Sequence, residues 1–489
     1  MKKGKILLLA VIMLLISGCG RRMETLPNLV IVFPDQMRGQ AMGFLGEEPV
    51  KTPRLDRFAE EGVVLTQMVS NYPLCSPFRA MLMTGKYPLK NRVTDNCTSL
   101  SASYGCQLQQ EDTTWSDILH DAGYSLGYIG KWHLEAPHEP YIDCANNRGK
   151  VKWNEWTPPQ RRHGFDYWVA YNTYDYHMHP MYWNTEGGRQ DFYYVDKWGP
   201  EYEADLAVKY ILNEEGKMRD PRRPFALVVS MNPPHMPYDQ VPDRYKKMYN
   251  DLDTTQLFQR PDVPPAGTRW GNYFRKNIRN YYAMITGVDE QFGRILDALR
   301  QAGLEDETIV LFMSDHGNCL GMHGMISKNN PYELSLRIPF LLRWPGHLLP
   351  HLDTTLLMSV PDIYPTLLAL MGFREKIPAG VEGRDLSEQL RTGTGTIPRS
   401  QLYFKIYHGS PRNGKRGIRT PRYTLVLEKK NGIITDTVLF DRYLDPYEMQ
   451  DLSAARNDLV NRLLRNELLP WLSVTGDPFF EKTLQEKEK

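Results

Sequence analysis

The chain has little net charge, few cysteines and no leading apolar run long enough to cross a bilayer. Its 59 Lys and Arg are set against 58 Asp and Glu, a formal charge of +1 over 489 residues. No global field therefore draws it to nucleic acid or to an anionic membrane surface. The six cysteines contain no Cys-x2-Cys spacing, which removes the commonest mark of a structural zinc site. No internal repeat and no low-complexity linker is visible, which argues against a solenoid or a string of tethered modules. The run Ile6–Ile16 falls short of the ~20 residues that a transmembrane helix needs. What is there is an ordinary globular composition, 41% hydrophobic and 24% charged, enriched in aromatics with 28 Tyr and 10 Trp.

Lys2, Lys3 and Lys5 precede that apolar run, and Ser17-Gly18-Cys19 follows it. A basic head, a short apolar core and small residues describe a secretory leader. Ile-Ser-Gly-Cys also resembles a bacterial lipobox, whose cysteine becomes the lipidated first residue. Residues 1–20 are thus expected to be a signal peptide with a lipobox. The protein is expected in the periplasm or at the cell surface, touching the membrane through a lipid anchor only. Cys97, Cys106, Cys144 and Cys319 admit three pairings. Cys97 and Cys106 flank a short loop and suit a disulfide in an oxidising compartment.

Continuous apolar runs such as Asn28–Phe33 and Thr308–Ser314 predict strands buried on both faces. Further strands are expected over 63–68, 124–129, 225–230 and 339–342. Helices are expected after Thr52, over 114–122, 201–213 and 277–302, and around 363–370. This alternation predicts an α/β fold, a mainly parallel sheet sandwiched by helices. From about residue 395 the pattern changes to strands over 402–407, 417–427 and 433–440, with Asn431-Gly432 as a hairpin turn. A last helix is expected over 454–472. The reading is a catalytic domain over 21–395 and a smaller antiparallel sheet plus helix over 396–489.

Polar residues fall at the strand ends. Asp35-Gln36, Lys131 and His133, His235, and Asp315-His316 each follow a predicted strand. In open parallel sheets the carboxyl ends of strands build the site, so residues far apart in sequence can converge there. Between two of these strands lies Pro73-Leu-Cys-Ser-Pro-Phe-Arg-Ala-Met-Leu-Met-Thr-Gly85. Pro77 suits a first helical turn. Cys75 then sits at a helix mouth, where unpaired N–H groups favour an anion.

The pattern Cys-x-Pro-x-Arg-x4-Thr-Gly resembles the signature of type I sulfatases of the alkaline phosphatase superfamily. Their cysteine is oxidised to formylglycine by a maturation enzyme. The likeness runs from Pro27-Asn28 to Asp445-Pro446-Tyr447-Glu448. It implies an alkaline-phosphatase-like fold and a metal held by Asp35, Gln36, Asp315, His316 and the formylglycine from Cys75. Mostly oxygen ligands favour Ca2+, with Mg2+ or Mn2+ as alternatives. Many relatives carry a second aspartate where Gln36 stands, Asn where His316 stands, and glycine where Glu135 stands. The resemblance also implies roles. Hydrated formylglycine attacks sulfur, and Arg79 holds the diol. Lys131 and Lys328 neutralise sulfate oxygens, His235 or Lys328 protonates the leaving oxygen, and His133 is the base that expels sulfate.

Aromatics and histidines crowd Gly164–Trp198, either to stack on sugar rings or to anchor a long loop. Together with export, they point to a sulfated saccharide substrate, as in bacterial carbohydrate sulfatases. Two other readings are a phosphodiesterase or phosphonate monoester hydrolase of the same superfamily, and a non-catalytic glycan-binding lipoprotein.

Overall fold

The computed structural model of the protein describes residues 26–252 and 260–481. The expected leader and Cys19 lie outside the described residues. In chain order the strands of the first part are β1 (Asn28–Pro34), β2 (Val63–Leu65), β3 (Ser125–Lys131), β4 (Tyr167–Tyr171) and the short pair β5 (Met181–Tyr182) and β6 (Tyr193–Tyr194). They continue as β7 (Phe225–Met231), β8 (Thr308–Met313), β9 (Phe340–Arg343) and β10 (His351–Asp353). Eight of them form one sheet in the order β10-β2-β9-β8-β1-β7-β3-β4. β1 is parallel to both β7 and β8, and β3 is parallel to β7 and β4. Only β9 runs against its neighbours β2 and β8. Every residue of β1, β3, β7 and β8 is buried. Their continuous apolar runs are what a sheet covered on both faces demands, at ~1.5–3 kcal/mol per fully buried large side chain.

Helices cover the two faces. The long helix Arg269–Gln301 buries Ile278, Tyr282, Ile285, Phe292 and Ile295 against one side of the sheet. It starts two turns earlier than the apolar periodicity predicts, because Thr268 caps it by accepting from the Gly271 N–H at 3.1 Å. The helix Cys75–Thr84 is buried at every residue, within the core of the opposite side. Gly85 ends it in the left-handed conformation, φ +63°, and a Cβ there would meet Tyr364 Cβ at 3.0 Å. The Thr-Gly end of the motif thus docks the helix tightly against the helix Val360–Leu370.

β3 runs two residues beyond its expected end, so Lys131 is its last residue and not part of the loop. Gly130 makes that extension workable. Its φ is +97°, and a Cβ would meet the Ser230 carbonyl oxygen at 2.2 Å.

The second sheet is antiparallel, formed by β11 (Gln401–Tyr407), β12 (Ser410–Arg419), β13 (Tyr423–Lys430) and β14 (Ile433–Asp441). The single strand expected over 417–427 is two strands here, parted at Thr420-Pro421-Arg422. Pro421 has no N–H for a ladder and turns the chain instead. Asn431 and Gly432 both have positive φ, 50° and 82°, as a two-residue hairpin turn requires. The final helix spans Asn457–Leu463 and Leu469–Val474, with a π turn over Leu464–Leu468 between them. Pro470 just beyond that turn lacks the N–H that an unbroken α-helix would use.

The aromatic stretch serves mainly the fold. Phe165, Trp168, Tyr171, Tyr182, Trp183 and Trp198 are all buried, while Tyr176 and Tyr194 are exposed at 48% and 40%. Glu203 of the helix Gly199–Leu212 anchors this insert by accepting from the Tyr182 hydroxyl at 3.0 Å. Burial pushes its carboxyl up from 4.5 to about 8, with the Tyr182 and Tyr171 hydroxyls opposing. The folded state therefore holds a proton that the unfolded chain has released. Stability is lost as pH rises from 4.5 towards 8, at no more than about 1.4 kcal/mol per pH unit. Glu203→Gln should flatten that slope. Urea midpoints measured across this pH range check it, and an unchanged slope would contradict the assignment.

Candidate active site

The site lies where the carboxyl ends of β1, β3, β7 and β8 face the first turn of the helix Cys75–Thr84. Cys75 is that helix's first residue and is 1% exposed. Its Sγ is 3.1 Å from Lys328 Nζ, 3.4 Å from His316 Nε2, 3.8 Å from Asp35 Oδ1 and 3.9 Å from Lys131 Nζ. Burial and the Asp35 carboxylate push the thiol pKa up, against Lys131 and Lys328. A thiol so placed is a poor nucleophile in its own right.

Asp35 directly follows β1. Its Oδ2 accepts from Lys131 Nζ at 2.6 Å and lies 3.4 Å from Arg79 Nη2. Burial opposes ionisation, yet Lys131 and Lys328 together hold the carboxyl well below the usual carboxylate range. Asp315 follows β8, and its Oδ1 accepts from the backbone N–H of Gln36 at 3.0 Å and of His316 at 2.8 Å. Burial and the neighbouring Asp35 push its pKa up to about 8. Arg79, on the next turn of the Cys75 helix, reaches both acids and lies 3.6 Å from Asp315 Oδ2. It also donates to the Lys131 carbonyl at 2.6 Å and to Ser230 Oγ at 2.8 Å.

One ligand atom each from Asp35, Cys75, Asp315 and His316 falls within 4.8 Å of the others, all buried. Asp315 Oδ2 has no hydrogen-bond partner among the described residues. Two adjacent carboxylates, one of them held partly protonated by the other, are what a divalent cation would relieve. The residues present fit such an ion. Gln36 sits beside them at φ 71°, its Oε1 accepting from Asn318 Nδ2 at 3.1 Å and its Nε2 without a hydrogen-bond partner among the described residues.

His133 is 1% exposed, and neither ring nitrogen has a hydrogen-bond partner among the described residues. Burial, Lys131 and Arg79 lower its pKa well below the usual imidazole value, so the ring is neutral and able to accept a proton. Its carbonyl accepts from Ser76 Oγ at 2.7 Å, which ties the loop after β3 to the head of the Cys75 helix. His235, beyond β7, is lowered to about 3 by burial, Lys328 and Lys131.

All ten residues singled out in the sequence therefore belong to one region. The sequence reading missed Asn232, which accepts from Lys131 Nζ at 3.1 Å, together with Asn318 and Asp175. Asn232 stands at a strand end like the others, and that position was the available signal.

The model of the family described as Sulfatase matches residues 27–373. The chain belongs to the sulfatase family. It is accordingly a sulfuric ester hydrolase, and the family generally uses formylglycine and a divalent metal. The model described as N-sulphoglucosamine sulphohydrolase, C-terminal, matches residues 321–470, which take in Lys328 and the second sheet. This sulfatase is 38% identical to an endo-4-O-sulfatase of Bacteroides thetaiotaomicron, over 94% of this chain and 95% of that one. It is 34% identical to an ulvan-active sulfatase of Formosa agariphila, over 88% of this chain and 77% of the relative. A Bacteroides fragilis protein solved as a candidate sulfatase superposes with a TM-score of 0.89 at 52% identity, covering 93% of this chain and 97% of that one. The sulfatase thus shares its architecture with that solved structure over 93% of its length.

Proposed function

We propose that this sulfatase is exported and hydrolyses sulfate esters on carbohydrates, through a formylglycine made from Cys75 by a maturation enzyme. The observation that carries this reading is the placement of Cys75 at a helix head among Lys131, Lys328, Asp35, Asp315 and His316. The endo-4-O-sulfatase and the ulvan-active sulfatase among its relatives support a saccharide substrate.

When present, the hydrated aldehyde of residue 75 supplies the nucleophilic oxygen, and a Ca2+ held by Asp35, Gln36, Asp315 and His316 supplies a Lewis acid. The remaining roles belong to side chains already in place. Lys131 and Lys328 bring positive charge to the sulfate oxygens, where charge builds in the transition state. Arg79 orients residue 75 while restraining the two acids. Neutral His133 accepts a proton as sulfate departs, and His235 or Lys328 gives one to the leaving sugar oxygen. The burial of the Lys131, Cys75 and Asp315 side chains excludes water from the reacting groups.

A panel of defined sulfated saccharides tests this function. Release of inorganic sulfate from at least one of them, with no comparable turnover of phosphate diesters or phosphonate monoesters, is the expected result. Preferential phosphonate or phosphodiester hydrolysis would overturn the substrate class, and saccharide binding without sulfate release would overturn the enzyme reading. Chelation gives a second expectation. EGTA should abolish turnover and lower the melting temperature, because the ion binds only the folded site. Ca2+ at a hundred times its Kd should return about 2.7 kcal/mol of stability. Adding back Ca2+, Mg2+ and Mn2+ separately identifies the ion, and melting indifferent to chelator and to all three cations would contradict the metal assignment.

A further inference from the structure

We propose that Asp175 is a positioning residue of the reaction, holding His235 so that this imidazole and not Lys328 protonates the leaving sugar oxygen. The proposal rests on the sulfatase mechanism above and selects between the two acids it leaves open.

Asp175 stands on the loop beyond β4, a part of the chain to which neither the motif nor the strand-end pattern assigns a role. Its Oδ1 lies 3.3 Å from His235 Nδ1 and accepts from Asn232 Nδ2 at 3.2 Å. Its Oδ2 accepts from Asn146 Nδ2 at 3.0 Å, so both oxygens are fixed. Asn232 in turn accepts from Lys131 Nζ at 3.1 Å and donates to the Tyr174 carbonyl at 2.9 Å. One carboxylate thereby braces the proposed acid and, through Asn232, the lysine that faces Asp35.

The second contact of His235 settles which nitrogen works. Nδ1 is 2.7 Å from the Met236 carbonyl oxygen, which can only accept, so Nδ1 carries a hydrogen. Nε2 is left to exchange a proton with substrate. To act as an acid the ring must hold a second proton, and its cationic surroundings resist this. Burial opposes it most, followed by Lys328 and Lys131, while Asp175 and Asp35 favour it. His177, whose Nε2 lies 2.8 Å from the His235 carbonyl oxygen, and His316 also face this group. The Asp175 carboxylate lies 3.3 Å from Nδ1, beside the Met236 carbonyl that takes the Nδ1 hydrogen, and its charge stabilises the imidazolium. Lys328 is engaged elsewhere, its Nζ 3.1 Å from Cys75 Sγ and 3.8 Å from the Asp35 carboxylate, where its charge serves residue 75.

The step balances without a further reagent. As the bond between sulfur and the sugar oxygen breaks, its electron pair goes to that oxygen, which takes the Nε2 proton. The imidazolium becomes neutral imidazole and recovers its proton from water.

The test compares Asp175→Asn with the parent enzyme on a sulfated saccharide and on 4-nitrophenyl sulfate, whose leaving group needs no proton. On the saccharide, kcat/KM should fall on the order of ten- to a hundredfold. On the aryl ester it should fall much less, and the basic limb of the saccharide pH profile should move to lower pH. His235→Ala measures the ceiling of this leaving-group effect, and Lys328→Ala should not reproduce it. Asp175→Ser serves as a second variant should the amide perturb the loop. Equal losses on both substrates with an unmoved pH limb would reduce Asp175 to a structural residue and leave the sulfatase reading intact. A parent enzyme inactive on sulfated saccharides would remove that reading itself. No leaving-group effect in His235→Ala would overturn the acid assignment and this proposal with it.

Discussion

Cys75→Ala should abolish sulfate-ester hydrolysis, lowering kcat/KM by on the order of 10⁴-fold or more, with the fold retained. The size of the loss follows from what residue 75 supplies. Lys131, Lys328, Arg79 and the two acids can bind and polarise a sulfate ester, but none of them offers an attacking atom. The fold should survive because alanine is the best helix former and the deleted sulfur is one small buried atom. Steady-state kinetics beside a thermal melt separate the two effects. An alanine variant that melts like the parent and still turns over sulfate esters would sink the formylglycine mechanism. The buried, raised-pKa thiol sharpens this expectation, since it argues against an unmodified cysteine acting as a thiolate.

The second large effect belongs to Arg79. Arg79→Ala should destabilise the fold by about 3–5 kcal/mol, the usual result of removing one partner from a buried ion pair, and should remove activity. The guanidinium is 2% exposed and lies against Asp35 at 3.4 Å and Asp315 at 3.6 Å, with the Phe33 ring 5.0 Å from its centre. Its loss would leave two carboxylates with less positive charge between them and the Lys131 carbonyl with only the Tyr128 hydroxyl, at 2.7 Å, as donor. Denaturant midpoints measured with and without Ca2+ are the check. The loss should be larger without the ion, because cation and guanidinium screen the same pair of acids. A variant as stable as the parent in chelator would show that Arg79 does not carry this charge.

The sheet was legible for a simple reason. β1, β7 and β8 are buried on both faces and so read as unbroken apolar runs, and the polar residue that ends each run is a site residue. Asp35, His235, Asp315 and His316 could be named on that ground before any fold was known. Lys131 was read one step wrong in structure though right in place. Gly130 lets the strand continue to it, and a lone glycine ordinarily reads as an end. Asn232, just past β7, carries the same strand-end signal, but Asp175 and Asn318 were not legible. They act through single hydrogen bonds to other site residues, which leave no periodicity in the sequence. The aromatic insert was ambiguous because a buried tryptophan and a sugar platform look alike in one dimension. Thr268 and Pro421 moved element boundaries through local capping and a missing donor, effects that the apolar pattern does not register.

Everything proposed about the chemistry passes through residue 75. Mass spectrometry of the peptide containing residue 75, from protein made in its native host, tests that directly. The account predicts an aldehyde or its hydrate at position 75. A peptide carrying only unmodified cysteine, in a preparation that releases sulfate from saccharides, would contradict it.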